Sequence, residues 1–295
     1  MSKLLGLSID VDSVASHLRG YGLDGADDIA SVYEHAVPRA LSLLAEAHAK
    51  ATFFLIAEEA LRFPAIVQRI VNEGHEIGCH SMTHPLPFRL ETPGAVTREL
   101  VEAKSALEQL SGKEVLGFRA PAWDLTPAAL EDVARAGYVY DTSLFPSWVF
   151  LLHQRAVQRK ADYLVERNQL SLSQLLTKPA VPHRASVGNG ELVVIPITTT
   201  PVFRLPYYHT MRFILPDLGF QILAALAHLR RNVHYIFHAV DFLGLHEDRI
   251  DSRLRKHPGM NVSLARKISL CQSALKLLTS RGDLVPLVTI ARSIV

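Results

Sequence analysis

Short apolar runs alternate along this chain with longer stretches of helical period, and that rhythm restricts its fold more than any other feature. It is the pattern of a parallel sheet whose strands are joined by crossover helices. Residues 4–9, 51–56, 75–79, 115–118, 138–141, 191–198, 233–237 and 284–290 read as strands. Between them Ile29, Val32, Val37, Leu41 and Leu44 recur at about helical spacing, as do Ile66, Arg69, Ile70 and Glu73 after Pro64. The cleanest stripe is Val96, Leu100, Ala103, Leu107 and Leu110, ended by Gly112. Thr126-Pro127 reads as a cap and first helical position, and 261–280 as a long helix. The class predicted is α/β, an irregular (β/α) barrel of about seven parallel strands.

At 295 residues the chain is longer than a usual domain, yet barrels of this class form one unit, so a single domain over 1–295 is expected. The rhythm fails from about 145 to 190, which reads as an insertion over the active face. The 31 basic residues against 29 acidic ones leave a net charge of only +2, which gives nucleic-acid binding no support. Cys79 and Cys271 lie far apart and fit no disulfide or CxxC pattern, so a reducing compartment is the simpler inference. Met1-Ser2-Lys3 runs straight into the first apolar stretch, too short for a signal peptide. The nearest approach to a membrane span, 213–229, is broken by Pro216, Asp217 and Gln221. A cytoplasmic protein is expected.

Polar side chains sit where the strands end. Asp10 and Asp12 close the first, His80 and His84 follow the third, Arg119 and Asp141 the next two, and His238 with Asp241 the strand after Val233. In a barrel the carboxyl ends of the strands converge on one rim, where such folds keep their chemistry. Two imidazoles and a carboxylate hold a divalent ion with open positions, so water is activated and substrate polarised. Blander readings exist for each residue alone. His80 and His84 could be core or surface histidines, Asp12 a loop cap, Arg119 a structural clamp, and Trp123 and Trp148 packing residues as readily as sugar platforms. Cys79 reads as a buried small residue.

With these residues in order, the chain resembles the polysaccharide deacetylases of carbohydrate esterase family four, which share the nodulation-type deacetylase homology domain. Asp10-Val11-Asp12 resembles that family's first motif, His80-Ser81-Met82-Thr83-His84 the second and Arg119-Ala120-Pro121-Ala122 the third. The stretch 137–146 resembles the fourth in an Asp-Val-Asp branch, and His238-Ala239-Val240-Asp241-Phe242 the fifth. The sequence departs from the better-known pattern at Ser147, where an Asp usually precedes the Trp, and at Ala122, Ala239 and Val240.

The resemblance implies that Asp12, His80 and His84 hold the metal, Zn²⁺ by ligand type, although other first-row ions suit the set. It makes Asp10 the general base and His238 the acid that protonates the departing amine, with the oxyanion taken by the metal and a backbone N–H near Ala122 or Trp123. Arg119 would pair with Asp10, and Asp141 or Asp241 would orient His238. The expected reaction is removal of an N-acetyl group from an amino sugar, in a cytoplasmic precursor that is lipid-linked, nucleotide-linked or small. The lipid-linked form is favoured because Trp148, Val149, Phe150, Leu151 and Leu152 precede Arg155, Arg159, Lys160 and Arg167, a composition suited to a membrane interface that Arg204, Tyr207, Tyr208, Arg212 and Phe213 would extend. A lid packed on the barrel is the alternative for that segment. Rival activities are deformylation of a lipid-linked amino sugar and opening of a cyclic amide. A carbohydrate-binding pseudoenzyme is the rival outside catalysis.

Overall fold

Leu5, Leu7, Ile9 and Val11 alternate with Gly6, Ser8 and Asp10, and the strand that carries them is buried on both faces. A strand covered on both sides belongs inside a parallel sheet. The computed structural model describes residues 3–24, 28–88, 90–150, 152 and 178–294. Its strands are β1 (Leu4–Val11), β2 (Thr52–Leu55), β3 (Glu76–Cys79), β4 (Gly117–Phe118), β5 (Tyr140–Asp141), β6 (His183–Val187), β7 (Gly190–Val194), β8 (Val233–His238) and β9 (Asp283–Val285). They are hydrogen-bonded in the order β6-β7-β5-β4-β3-β2-β1-β8, with β9 on the start of β1. Every ladder is parallel except β6–β7.

The even-numbered residues of β1 face the barrel interior and the odd-numbered ones face the helices. Leu5, Leu7, Ile9 and Val11 join the main core with Val37, Leu41 and Leu44 from the helix Val37–Glu46 and Val67 and Ile70 from Pro64–Asn72. The interior is filled low down by Phe54, Tyr140, Val193 and Ile195. It is crowded enough that a Cβ on Gly78 would lie 2.5 Å from the Phe54 ring, and one on Gly117 2.1 Å from that of Tyr140. Residues 195–209 cross between β7 and β8. Ile197 packs there with Phe145 and Ile236, and the His209 N–H donates to the Ile236 carbonyl at 3.0 Å.

Three expectations about elements need correction. Residues 284–290 are not one strand. The strand ends at Val285, Pro286 takes the N-cap, and Leu287–Arg292 is a helix whose Leu287, Ile290 and Ala291 plug the barrel floor. The stretch 144–188 is not wholly irregular, because Gly188 at φ +57 turns β6 into an antiparallel hairpin with β7. The strand expected over 191–198 is β7, ending at Val194, after which Ile195 and Ile197 donate singly to Asp141 and Leu144 carbonyls at 2.8 and 2.9 Å. Leu151, Arg155, Arg159, Lys160 and Arg167 of the expected insertion lie outside the described residues. Among the described residues no helix is long and apolar enough to cross a membrane.

Strand register assembles the rim. Asp10 on β1 is level with His238 on β8, Cys79 on β3 with Phe118 on β4, and Phe118 with Asp141 on β5. The residues that follow Cys79 and Phe118 are His80 and Arg119. Four strands thus deliver Asp10 and His238 at one level, and His80 and Arg119 two residues beyond it, to the same rim.

Candidate metal and active site

Asp12, His80 and His84 come together at the rim, all buried, with one donor atom from each lying within 4.8 Å of the others. Asp12 Oδ1 is 3.2 Å from His80 Nε2 and 3.7 Å from His84 Nε2. Donors about 2.1 Å from a tetrahedral ion stand about 3.4 Å apart, so this spacing suits one cation. Among the described residues, Asp12 Oδ1 and both ring nitrogens of His84 are buried with no hydrogen-bond partner. Such atoms are costly unless something pairs them, and a cation would. The chemistry of the donor set therefore fits a metal.

Protonation favours the same role. Burial opposes charge on Asp12, but the adjoining imidazoles, His80 first, outweigh it and hold the carboxyl well below the usual range, and Asp12 in turn outweighs burial at His80 and raises that ring. Burial pushes the His84 ring down to about 3, so it is neutral and has a free lone pair. His80 Nδ1 lies 2.6 Å from the Arg119 carbonyl oxygen. A carbonyl can only accept, so Nδ1 carries a proton and Nε2 is the nitrogen that faces Asp12 and would take a cation.

The loop that bears the two histidines is held in an unusual conformation. Ser81 and His84 have φ of +66 and +55, in the left-handed region that side chains disfavour. The Glu99 carboxylate clamps this turn, accepting the Met82 and Thr83 N–H groups at 3.0 Å each and the Thr83 hydroxyl at 2.9 Å. Ser81 Oγ accepts the His84 N–H at 3.0 Å. Glu99 escaped notice in the sequence because it lies on a helical stretch where an acid ordinarily faces solvent. Here it is buried.

Beside the three donors stand Asp10 and His238, with His238 Nε2 3.7 Å from Asp10 Oδ2. The other oxygen of Asp10 is bonded to the guanidinium of Arg119, which is wholly buried. Arg119 also donates to Ser8 Oγ at 3.1 Å and the Thr142 carbonyl at 3.4 Å, and stacks 4.2 Å from the Phe54 ring centroid. After Arg119 the chain turns through Ala122 and Trp123, both at positive φ (+51 and +54). The Trp123 N–H bonds back to the Ala120 carbonyl at 3.0 Å, and among the described residues no acceptor takes that of Ala122.

These groups line a cavity of about 360 Å³. Its wall includes Leu86, Trp123, Phe145, Phe150, Tyr208, Met211 and Ile214. It also includes His17 and His257, which sequence reasoning did not reach. The Ser13 side chain accepts the Ser16 N–H at 3.1 Å, opening the helix Val14–Gly20 that brings His17 within 6.1 Å of the His238 ring and 5.0 Å of His257. The Ser13-to-Ser16 capping pattern was the available signal.

Other expected residues are placed elsewhere. Asp141 accepts the N–H and hydroxyl of Ser143 at 2.9 and 2.6 Å and lines an adjacent cavity, so its carboxylate supports the Arg119 turn through Ser143 Oγ, which accepts the Ala120 N–H at 2.8 Å. Asp241 Oδ2 accepts the backbone N–H of His238 at 2.8 Å. Its other oxygen has no hydrogen-bond partner among the described residues. Trp148 donates its indole N–H to the Phe203 carbonyl at 2.7 Å and is not part of that cavity's wall. Tyr207, expected at a surface, is buried against Tyr235 and Phe220.

The profile of the polysaccharide deacetylase family matches residues 26–140. The peptidoglycan deacetylase of Helicobacter pylori is 32% identical over 145 residues, 48% of this chain and 49% of that protein. The chitooligosaccharide deacetylase of a Bradyrhizobium species is 35% identical over 101 residues, 34% of this chain and 46% of that protein. The chain thus spans about half the length of these curated relatives. In fold it is similar to the crystal structure of a candidate polysaccharide deacetylase from Mycobacterium smegmatis, with a TM-score of 0.64 and 18% identity over 100% of this chain and 91% of that one. It is also similar to that of the Puue allantoinase, with a TM-score of 0.61 and 17% identity over 98% and 89% of the two chains. Over residues 26–140 the chain is thus similar in sequence to the polysaccharide deacetylases, and its fold is similar to that of solved members.

Proposed function

We propose that the protein is a metal-dependent amide hydrolase that removes an N-acetyl group from an amino sugar. The observation that carries this reading is the grouping of three mutually adjacent donor atoms, from Asp12, His80 and His84, in one cavity with a carboxylate and an imidazole 3.7 Å apart. A divalent ion bound by those donors, Zn²⁺ by ligand type, supplies a Lewis acid for the acyl carbonyl and lowers the pKa of water toward neutrality.

The remaining work falls to the chain. Asp10 accepts a proton from the attacking water while Arg119 fixes the orientation of its carboxylate. The Ala122 N–H is the backbone donor for the oxygen that gains charge as the carbonyl is attacked. His238 Nε2 gives a proton to the amine nitrogen as the C–N bond breaks, so that water and amide become acetate and a free amino sugar. Trp123 stands edge-on to His238 at 5.6 Å and limits the motion of that ring.

We place the substrate among lipid-linked precursors of cell-envelope glycans, met at the inner face of the membrane. The apolar part of the wall, with Leu86, Phe150, Met211 and Ile214, supports an acceptor that has an apolar portion next to its sugar. Mass spectrometry of acceptors after incubation with metal-loaded protein tests this. Polyprenyl-phosphate N-acetyl sugars should lose one acetyl group and soluble chito-oligomers should react more slowly. Failure of every N-acetyl acceptor would overturn the amidase reading.

A further inference from the structure

The helix Asp217–Ala227 is apolar on both sides. Phe220, Leu223, Ala224 and Ala227 face the core, as expected for a surface helix. The opposite side should then be polar. Instead Leu218, Ile222 and Ala225 are exposed at helical spacing, and Leu229 continues the line one turn on. Leu218 is 68% exposed, Ile222 54% and Leu229 73%. Ile214, four residues before Leu218 and 55% exposed, belongs both to this line and to the wall of the catalytic cavity. The one acid of the helix, Asp217, is paired with Arg212 at 2.7 Å. A continuous exposed apolar stripe is uncommon on a protein that meets only water.

Cations gather at the far end of the stripe. The Lys3 ammonium donates to the carbonyls of His228 and Arg230 at 3.1 and 2.6 Å, which fixes a positive charge at the C-terminal end of the helix. Gly282 packs so closely on this residue that a Cβ there would lie 2.0 Å from the Lys3 carbonyl oxygen, which brings the adjoining Arg281 beside Lys3. Arg230 is locked by its guanidinium to the Thr199 and Thr200 carbonyls at 2.5 and 3.2 Å, and Arg231 and Arg281 are exposed. Asp283 is the neighbouring acid, its N–H bonded to the Lys3 carbonyl at 2.9 Å.

We infer that this helix face is a docking surface for an anionic lipid bilayer, with Leu218, Ile222 and Leu229 entering the acyl boundary and the Lys3–Arg281 cluster resting on headgroups. Apolar residues on the outer side with cations at the rim are the composition of an in-plane interfacial helix. Ile214 ties the stripe to the cavity, so docking would present the catalytic opening at the lipid surface. The inference deepens the proposed substrate class and rests on that reading only for its use. Binding itself requires no turnover.

Flotation with phosphatidylglycerol–phosphatidylcholine vesicles, set against pure phosphatidylcholine vesicles, tests it on the full chain. The wild type should float with the anionic vesicles and much less with the neutral ones. The variant Leu218→Gln/Ile222→Gln/Leu229→Gln, altered only at exposed positions, should lose partition about tenfold or more. Its circular dichroism and thermal midpoint should stay near wild type, and deacetylation of a soluble chito-oligomer should be unchanged. Arg231→Glu/Arg281→Glu should lose binding mainly at low salt. A wild type that ignores anionic vesicles, or a triple variant that floats as well as wild type, overturns the inference. So does sedimentation showing a dimer that the triple variant dissociates, since the stripe would then be covered by a second copy. If vesicle binding follows the pattern above and no acceptor is hydrolysed, the amidase reading fails and the docking surface stands.

Discussion

Asp10 and His238 are register partners on adjacent parallel strands, and their side chains meet with His238 Nε2 3.7 Å from Asp10 Oδ2. A ladder contact therefore sets the distance between the proposed base and acid, and no loop has to close to bring them together. Arg119 ties this pair to the metal donors, because its guanidinium holds Asp10 and its carbonyl fixes the tautomer of His80.

Asp10→Asn keeps the shape of the pair and removes the proton acceptor. Turnover should fall by about 10²- to 10⁴-fold with the bound metal undiminished. Elemental analysis beside a steady-state assay checks both halves. Loss of metal in this variant would move Asp10 into the ligand set.

His238→Gln should slow amide hydrolysis by a similar factor, about 10²-fold or more, because the amine must leave with a proton. An acetate ester of 4-nitrophenol has a leaving group that needs none, and its hydrolysis should suffer much less. Equal losses on both substrates would remove the acid role.

Arg119→Met leaves the Asp10 carboxylate buried beside an apolar side chain. The cost should be about 3–5 kcal/mol, the size expected when one member of a buried pair is removed. Urea unfolding of this variant and of Asp10→Asn/Arg119→Met checks it, and the double variant should recover part of the loss.

Asp141 supplies a pH dependence separate from catalysis. Burial, partly offset by Ser143, raises its carboxyl from 3.8 to about 6. The folded protein thus holds this proton more tightly than the unfolded chain. Its contribution favours folding below about pH 4 and is lost as pH rises toward 6, by roughly 3 kcal/mol. Asp141→Asn should flatten the urea midpoint across that interval and leave the profile above pH 7 unchanged.

Much of this was legible in the sequence because strands were. The β1 alternation, with Asp10 and Asp12 at its end, already placed two carboxylates on the barrel-facing side, and His80 and Arg119 each follow the last residue of a strand. What was not legible depends on contacts between distant segments. Glu99 works by reaching a turn sixteen residues before it in the chain. His17 and His257 meet because a short helix and a loop fold over the same opening. The hairpin of β6 and β7 and the floor helix Leu287–Arg292 were misread for local reasons. A polar, half-exposed strand has little apolar signature, and Leu287, Val288 and Ile290 have strand propensity that packing beneath the barrel overrides.

Turnover of an N-acetyl amino-sugar acceptor, followed as metal is returned to chelator-stripped protein, tests the central claim most directly. Activity should be absent without metal, rise in proportion to it and reach its plateau at one ion per chain, and His84→Ala should show no rise over the same range. Full activity in the stripped protein, or a His84→Ala variant that titrates like wild type, would contradict the account.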